Sequence, residues 1–274
     1  MQKRGHEFGI LVFVLSFQFV SANSDVSVFL NNVLNNPVDY TIVYGSLALF
    51  RDKRGYSNFK YSITGDLTDE SIYHEGFIAP LLESLFGIKP LFLKREKKNS
   101  IETIINSRAI AEFKNVVLGL PYGGKREAFI PEIMVNNDIL AKRCLVGIFD
   151  TDFHVTSVLS ISGKLHSLKL AEQVHQVLNR NNINHVYRKY KDYSRFYIPK
   201  DFAVIIVKKW SMHNKKHLSK FAVYEKFGVS IPFTTTQERL DLLDGKVSLE
   251  RLRGLSKNRR RRITTLRGLE PRTP

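Results

Sequence analysis

The sequence predicts a mixed α/β (α+β) fold made of two pseudo-symmetric halves, and three observations predict it. The first is a weak internal repeat. KYSITGDLTDESIYHEGFIAPLLESLFGIKPLF, from Lys60 to Phe92, and VLSISGKLHSLKLAEQVHQVLNRNNINHVY, from Val158 to Tyr187, share one plan: a strand ending Ser-Ile-Thr/Ser-Gly, a polar link, an amphipathic helix, an isoleucine and a second strand. The second is a pair of apolar stripes at helical spacing. Phe77, Ile78, Leu81, Leu82, Leu85 and Phe86 make one, and Leu170, Ala171, Val174, Val177 and Leu178 the other. The third is strand alternation. Tyr56, Asn58, Lys60, Ser62 and Thr64 share a side opposite Phe59, Tyr61 and Ile63, and His154, Thr156, Ser160 and Ser162 share one opposite Val155, Leu159 and Ile161.

In chain order, residues 1–36 form an apolar N-terminal segment, signal-like or an extra helix. Lys3 and Arg4 precede FGILVFVLSFQFV and Val20-Ser21-Ala22 as in a secretory signal, but Glu7, Ser16 and Gln18 interrupt the run, so a cytoplasmic setting is expected. The run is also too short and broken for a membrane span. The first half occupies 37–120 and includes the basic hairpin LFLKREKKNSIETIIN, followed by a helix from Ser107. A Gly- and Pro-rich linker, 121–140, precedes the second half, 141–247, whose hairpin is VYRKYKDYSRFYIPK with a helix from Asp201 to about Trp210. Residues 248–274 read as a basic, disordered tail.

The net charge of +16 favours a polyanionic partner, nucleic acid first and an anionic membrane surface second. Half of that charge lies from Arg251 onward, which leaves the folded body basic as well. Cys144 is the only cysteine, which excludes an intrachain disulfide framework and a cysteine-based zinc site. His213 and His217, at i and i+4, would share a helix face, but no cysteine or carboxylate joins them at zinc spacing.

The stretch from Cys144 to Val155 reads CLVGIFDTDFHV, an apolar run with one glycine that ends on Asp150 and Asp152. A core or membrane segment gains nothing from that ending, whereas carboxylate oxygens are suitable ligands for Mg2+. Elsewhere stand the FG-I-KP turn at Phe86 to Pro90, the run Ile105 to Arg108, Phe129 to Glu132, NKKHLSKF and TTTQER. In this order, over roughly residues 38 to 246, the chain resembles the LAGLIDADG homing endonuclease family.

The resemblance implies two αββαββα-type halves whose antiparallel sheets form a saddle over double-stranded DNA. One motif helix from each half would meet at the interface through small residues, Gly147 in the second and Gly45 in the first. It makes Asp152 the metal-binding, catalytic acid, Mg2+ the cofactor, and Lys200 the cation beside the reacting phosphate, with Arg108 as its first-half counterpart. Asp150 is expected to act as a cap or local acceptor. Phe153 replaces the family's glycine, so the chain is expected to leave the helix without a positive φ. Tyr44 stands where the first motif should carry its acid, and a phenol is a poor substitute for a carboxylate.

Lys94, Arg95, Arg188 and Lys189 are expected to hold phosphates, and Asn58, Lys60, Arg188 and Arg195 to read base edges. The expected function is sequence-specific DNA binding with Mg2+-dependent strand cleavage by a monomer, with no protein partner implied. The alternative is an inactive DNA binder, or a splicing maturase acting on intron RNA, on the same scaffold; a secreted or membrane-tethered basic protein is the rival suggested by residues 3–22.

Overall fold

The computed structural model describes residues 46–51, 57–112, 115 and 125–269. The segment 1–36 and the positions Tyr44 and Gly45 lie outside the described residues.

The repeat read from the sequence is a repeat of topology. In the first half β1 (Ser46–Arg51), β2 (Ser57–Asp66), β3 (Leu91–Arg95) and β4 (Ser100–Asn106) form an antiparallel sheet in the order β1-β2-β4-β3. In the second, β5 (Phe153–Val155), β6 (Ile161–Leu165), β7 (Val186–Lys189) and β8 (Ser194–Ile198) repeat it as β5-β6-β8-β7. Gly65 opposes Ile101 and Gly163 opposes Phe196, so the repeated glycines occupy matching places.

Helices cover one face of each sheet. In the first half α1 (Leu67–Tyr73) runs through a π turn (His74–Ile78) into α2 (Ala79–Phe86). The polar link of the sequence is thus already helical, because the Asp66 carboxylate accepts from the Asp69 amide and two acids favour the positive end of the helix. Gly87, at φ 66°, ends it. The matching helix of the second half is α6 (Leu168–Arg180), capped by Ser167. A short α3 (Arg108–Glu112) follows β4, and α7 (Lys200–Lys209) follows β8.

Between the halves, α4 (Glu132–Val135) leads into the motif helix α5 (Asp138–Asp152), whose Asn137 side chain caps the Ile139 and Leu140 amides. Ala141 and every residue from Cys144 to Asp150 are buried, so the C-terminal half of α5 has no solvent-facing stripe and is a core helix, while Asp138 and Ile139 face solvent. Burial pushes the Cys144 thiol up to about 12. Its thiol should therefore resist alkylation in the native protein and react only after α5 is exposed, at the rate of global unfolding. Rapid labelling of folded protein, followed by mass spectrometry, would contradict this packing.

Three further helices close the chain: α8 (Lys215–Phe227), α9 (Thr236–Leu243) and α10 (Leu249–Leu269). The last of these corrects the expectation of a disordered tail. Leu252 and Ser256 are buried against the α8–α9 pair, Ser256 donates to the Pro232 carbonyl at 2.6 Å, and Arg259 forks onto both oxygens of Glu238 at 2.7 and 2.6 Å. Their spacing of three to four residues is a helical stripe, hidden in the sequence by the arginines between them. Among the described residues no helix is long and apolar enough to cross a membrane.

Candidate functional site

The site is built at the C-terminal end of α5. Asp152, its last residue, is exposed, and Phe153 leaves the helix at φ −107°, ψ 168°, ordinary extended backbone. The ring of Phe153 turns into the core, where a Cβ on its cross-strand partner Gly163 would lie 2.4 Å from it. Gly163 is therefore bare because Phe153 is large. The strands run antiparallel and Phe153 pairs with Gly163, so Asp152 lies on the Lys164 side of the β5–β6 ladder.

Asp150 is fully buried and serves as an acceptor, as its place in the motif suggested. Its two oxygens take the amides of His213 and Asn214 at 2.9 and 3.0 Å. The side-chain Nδ2 of Asn214 donates to the Asp150 carbonyl at 2.7 Å and, across the molecule, to Glu70 on α1 at 2.9 Å. Its oxygen accepts the Lys216 amide at 2.9 Å and so caps α8. One buried asparagine thus joins the motif helix, α8 and the first half. Burial raises the Asp150 carboxyl to about 7, the charge of Glu70 adding to it and the two amide donors opposing it.

A second joint is Asp69, which accepts from the Thr236 amide at 2.7 Å while its carbonyl accepts the Thr236 hydroxyl. His213 does not share a helix face with His217: it precedes the cap of α8 and stacks on Phe77, with centroids 4.1 Å apart. His217 is inside, and burial lowers its imidazole to about 3.

Lys200 follows Ile198, which pairs with Ile161, two places along β6 from Gly163, and its ammonium sits 3.8 Å over the ring of Tyr224 on α8. Two further lysines belong to α8, whose capping residue Asn214 donates its backbone amide to Asp150. Lys216 lies 3.6 Å from Glu70, and Lys220 reaches the Val155 carbonyl at 2.5 Å. Burial, then Arg239 and Lys216, lower Lys220 to about 8, and burial with both lysines lowers His154. NKKHLSKF held this signal, because Asn214 is a good cap and starts a helix whose first turns must abut whatever holds it.

Strand register sorts the other expected residues. In the second sheet Arg188, Arg195 and Lys164 form one row across three strands on the open face, with Val186, Tyr197, Ser162 and His154 as the next row. Tyr193 lies under both cations, 3.9 Å from Lys164 and 5.6 Å from Arg195. Lys189 is paired with buried Ser194 and belongs to the helix side. Lys94 is paired with buried Ile101 and bonds Glu75 at 2.6 Å, again on the helix side, so neither lysine lines the open face. Ser160, expected on the polar face, is instead buried in the β5–β6 turn, 2.7 Å from the Thr156 hydroxyl.

The open face of the first sheet carries Lys60, Ser62, Thr64, Glu102, Ile104, Leu91, Leu93 and Arg95, and Asn58 lies on β2 opposite Phe50. Glu102 is buried between Lys60 and Arg95 and bonded to both. Burial alone would raise its carboxyl; the hydrogen bonds of Lys60 and Ser62 and the two positive charges hold it below its ordinary value. Arg108 opens α3, 5.7 Å from the Phe59 ring.

No family model matches the chain, and no curated protein does. Solved structures do. Variants of the homing endonuclease I-DmoI are similar at 14% identity, over 63% of this chain and 93% of theirs, with a TM-score of 0.49. An I-SmaMI variant is similar at 13%, over 80% and 95%, at 0.46, and the N-terminal LAGLIDADG domain of WhiA at 12%, over 67% and 84%, at 0.42.

The structural neighbours are LAGLIDADG proteins.

α5 carries the stretch CLVGIFDTD on which the sequence resemblance rests, and Asp152 is its last residue.

Proposed function

We propose that this chain binds duplex DNA along the open faces of its two sheets and hydrolyses a phosphodiester at the end of α5, with Asp152 holding a divalent cation, Mg2+ by preference. The observation that carries the reading is the juxtaposition at that end: an exposed carboxylate finishing a core helix, on the Lys164 side of a ladder whose open face bears Lys164, Arg195 and Arg188. Asp152 suits Mg2+, which takes one or two carboxylates plus substrate phosphates and keeps several waters. Such an ion would supply charge stabilisation at the reacting phosphate. The chain's own contribution is to fix the end of α5 through Asp150 and Asn214. A cytoplasmic setting and a monomeric state belong to the same proposal.

Tyr44 in the first acid's place favours a second reading, binding without cutting, to DNA or to intron RNA. One assay separates them: supercoiled plasmid carrying the gene's flanking sequence, incubated with Mg2+ or with EDTA. Wild type should nick it in Mg2+ only, because one complete carboxylate site attacks one strand. Asp152→Asn should abolish nicking, by about a hundredfold or more, while binding persists. Metal-dependent cutting that survives this substitution removes Asp152 from the mechanism; binding with no cutting by wild type establishes the second reading.

A further inference from the structure

The two sheets offer a duplex different chemistry. On the second, Arg188, Arg195 and Lys164 stand side by side across three strands with no acid between them, and like charges directly opposite one another are destabilising until an anion or acceptor meets them. On the first, the cations of the open face among the described residues, Lys60 and Arg95, both bond the buried Glu102. Along its edge strand that face presents apolar side chains. Leu91 and Leu93 are 61% and 39% exposed on the edge strand, and half-buried Ile104 lies directly opposite Leu91. Exposed leucines in adjacent places of one face are not needed by the core, which lies on the other side of the sheet beneath α1 and α2.

We infer that the two halves read bases of different class: the first sheet recognises thymine methyl groups through Leu91, Leu93 and Ile104, and the second recognises guanines through Arg188, Arg195 and Lys164. The major groove displays the thymine C5-methyl as its one apolar feature, matched by aliphatic side chains, and guanine as a pair of acceptors matched by arginine or lysine. The preferred duplex is therefore A·T-rich against the first half and G·C-rich against the second. This rests on the proposal that the open faces meet duplex DNA.

The test is selection from a pool of randomised duplexes by the full-length protein in EDTA, followed by sequencing. Wild type should retain duplexes with A·T pairs on one side and G·C pairs on the other. Leu91→Gln with Leu93→Gln should reduce the A·T preference about tenfold and leave the G·C side intact, and Arg195→Gln should do the reverse; each variant controls for the folding of the other. Equal base preferences on both sides, or an A·T side indifferent to the double leucine substitution, overturns the assignment while leaving DNA binding in place. Retention of no duplex overturns the DNA reading and this assignment with it. A wild-type dimer in light scattering that the leucine substitutions dissociate assigns the edge strand to a second copy of the chain and also overturns it.

Discussion

Asn214→Ala should cost about 3–5 kcal/mol, a large share of the stability of a domain of this size. The asparagine is fully buried, and its amide bonds Asp150, Glu70 and the first turn of α8 at once. Truncation leaves a carboxylate and a carbonyl without their donor, and a buried polar group stripped of its partner costs far more than the bond gave on forming. The measurement is the midpoint of urea unfolding at constant slope. Asn214→Asp should be worse at neutral pH, since it sets a carboxylate against Glu70, and should recover on acidification. A loss below about 1 kcal/mol for the alanine variant would mean that the two halves are held together elsewhere.

Asp150 should make the protein less stable as pH rises. Its folded pKa of about 7 lies above the unfolded value near 4, so between those limits the native state binds the extra proton and stability falls with increasing pH. The contribution is fully present below about pH 4 and is lost by about pH 7, amounting to about 4 kcal/mol across that window. The buried histidines act in the opposite sense: His74 and His217 are lowered by burial to about 4 and about 3, so their neutral forms favour folding above their unfolded pKa and that stability is lost on acidification. The difference between wild type and Asp150→Asn isolates the carboxyl. In urea titrations at several pH values the wild type should lose ground to the variant from pH 4 to pH 7; a constant gap would mean that Asp150 is ionised throughout.

Much of the fold was legible because its cues are local. The Ser-Ile-Thr/Ser-Gly strands, the helical stripes and the charged hairpins each carry their own periodicity, and their repetition gave the topology of both sheets. The helix of the C-terminal tail was not legible, because the polar members of its stripe, Ser256 and Arg259, pack only once the Pro232 carbonyl and Glu238 are in place to accept their hydrogen bonds. The site divides in the same way. Asp150 and Asp152 announce themselves within the motif, and the extended backbone at Phe153 follows from the absence of glycine. The seat of Lys200 over the Tyr224 ring was not legible, because distance along the chain from a strand end does not say what the side chain meets across the molecule. Lys94 and Lys189 illustrate period two: a shift of one residue exchanges the open face for the helix side. Nothing local to Asn214 could name Glu70 as its partner, since that contact exists only once the two halves are assembled.

Phe153 and Gly163 also constrain how this sequence can drift. Any side chain at Gly163 collides with the ring while Phe153 is present, so the strand position is closed to substitution until the aromatic residue shrinks. A smaller residue at Phe153 would first open a cavity in the core, a step costing several kcal/mol for a phenylalanine. The two positions are therefore an evolutionary latch: each accepts change only after the other, and a lineage that crosses from a bare helix end to an aromatic one does not easily return.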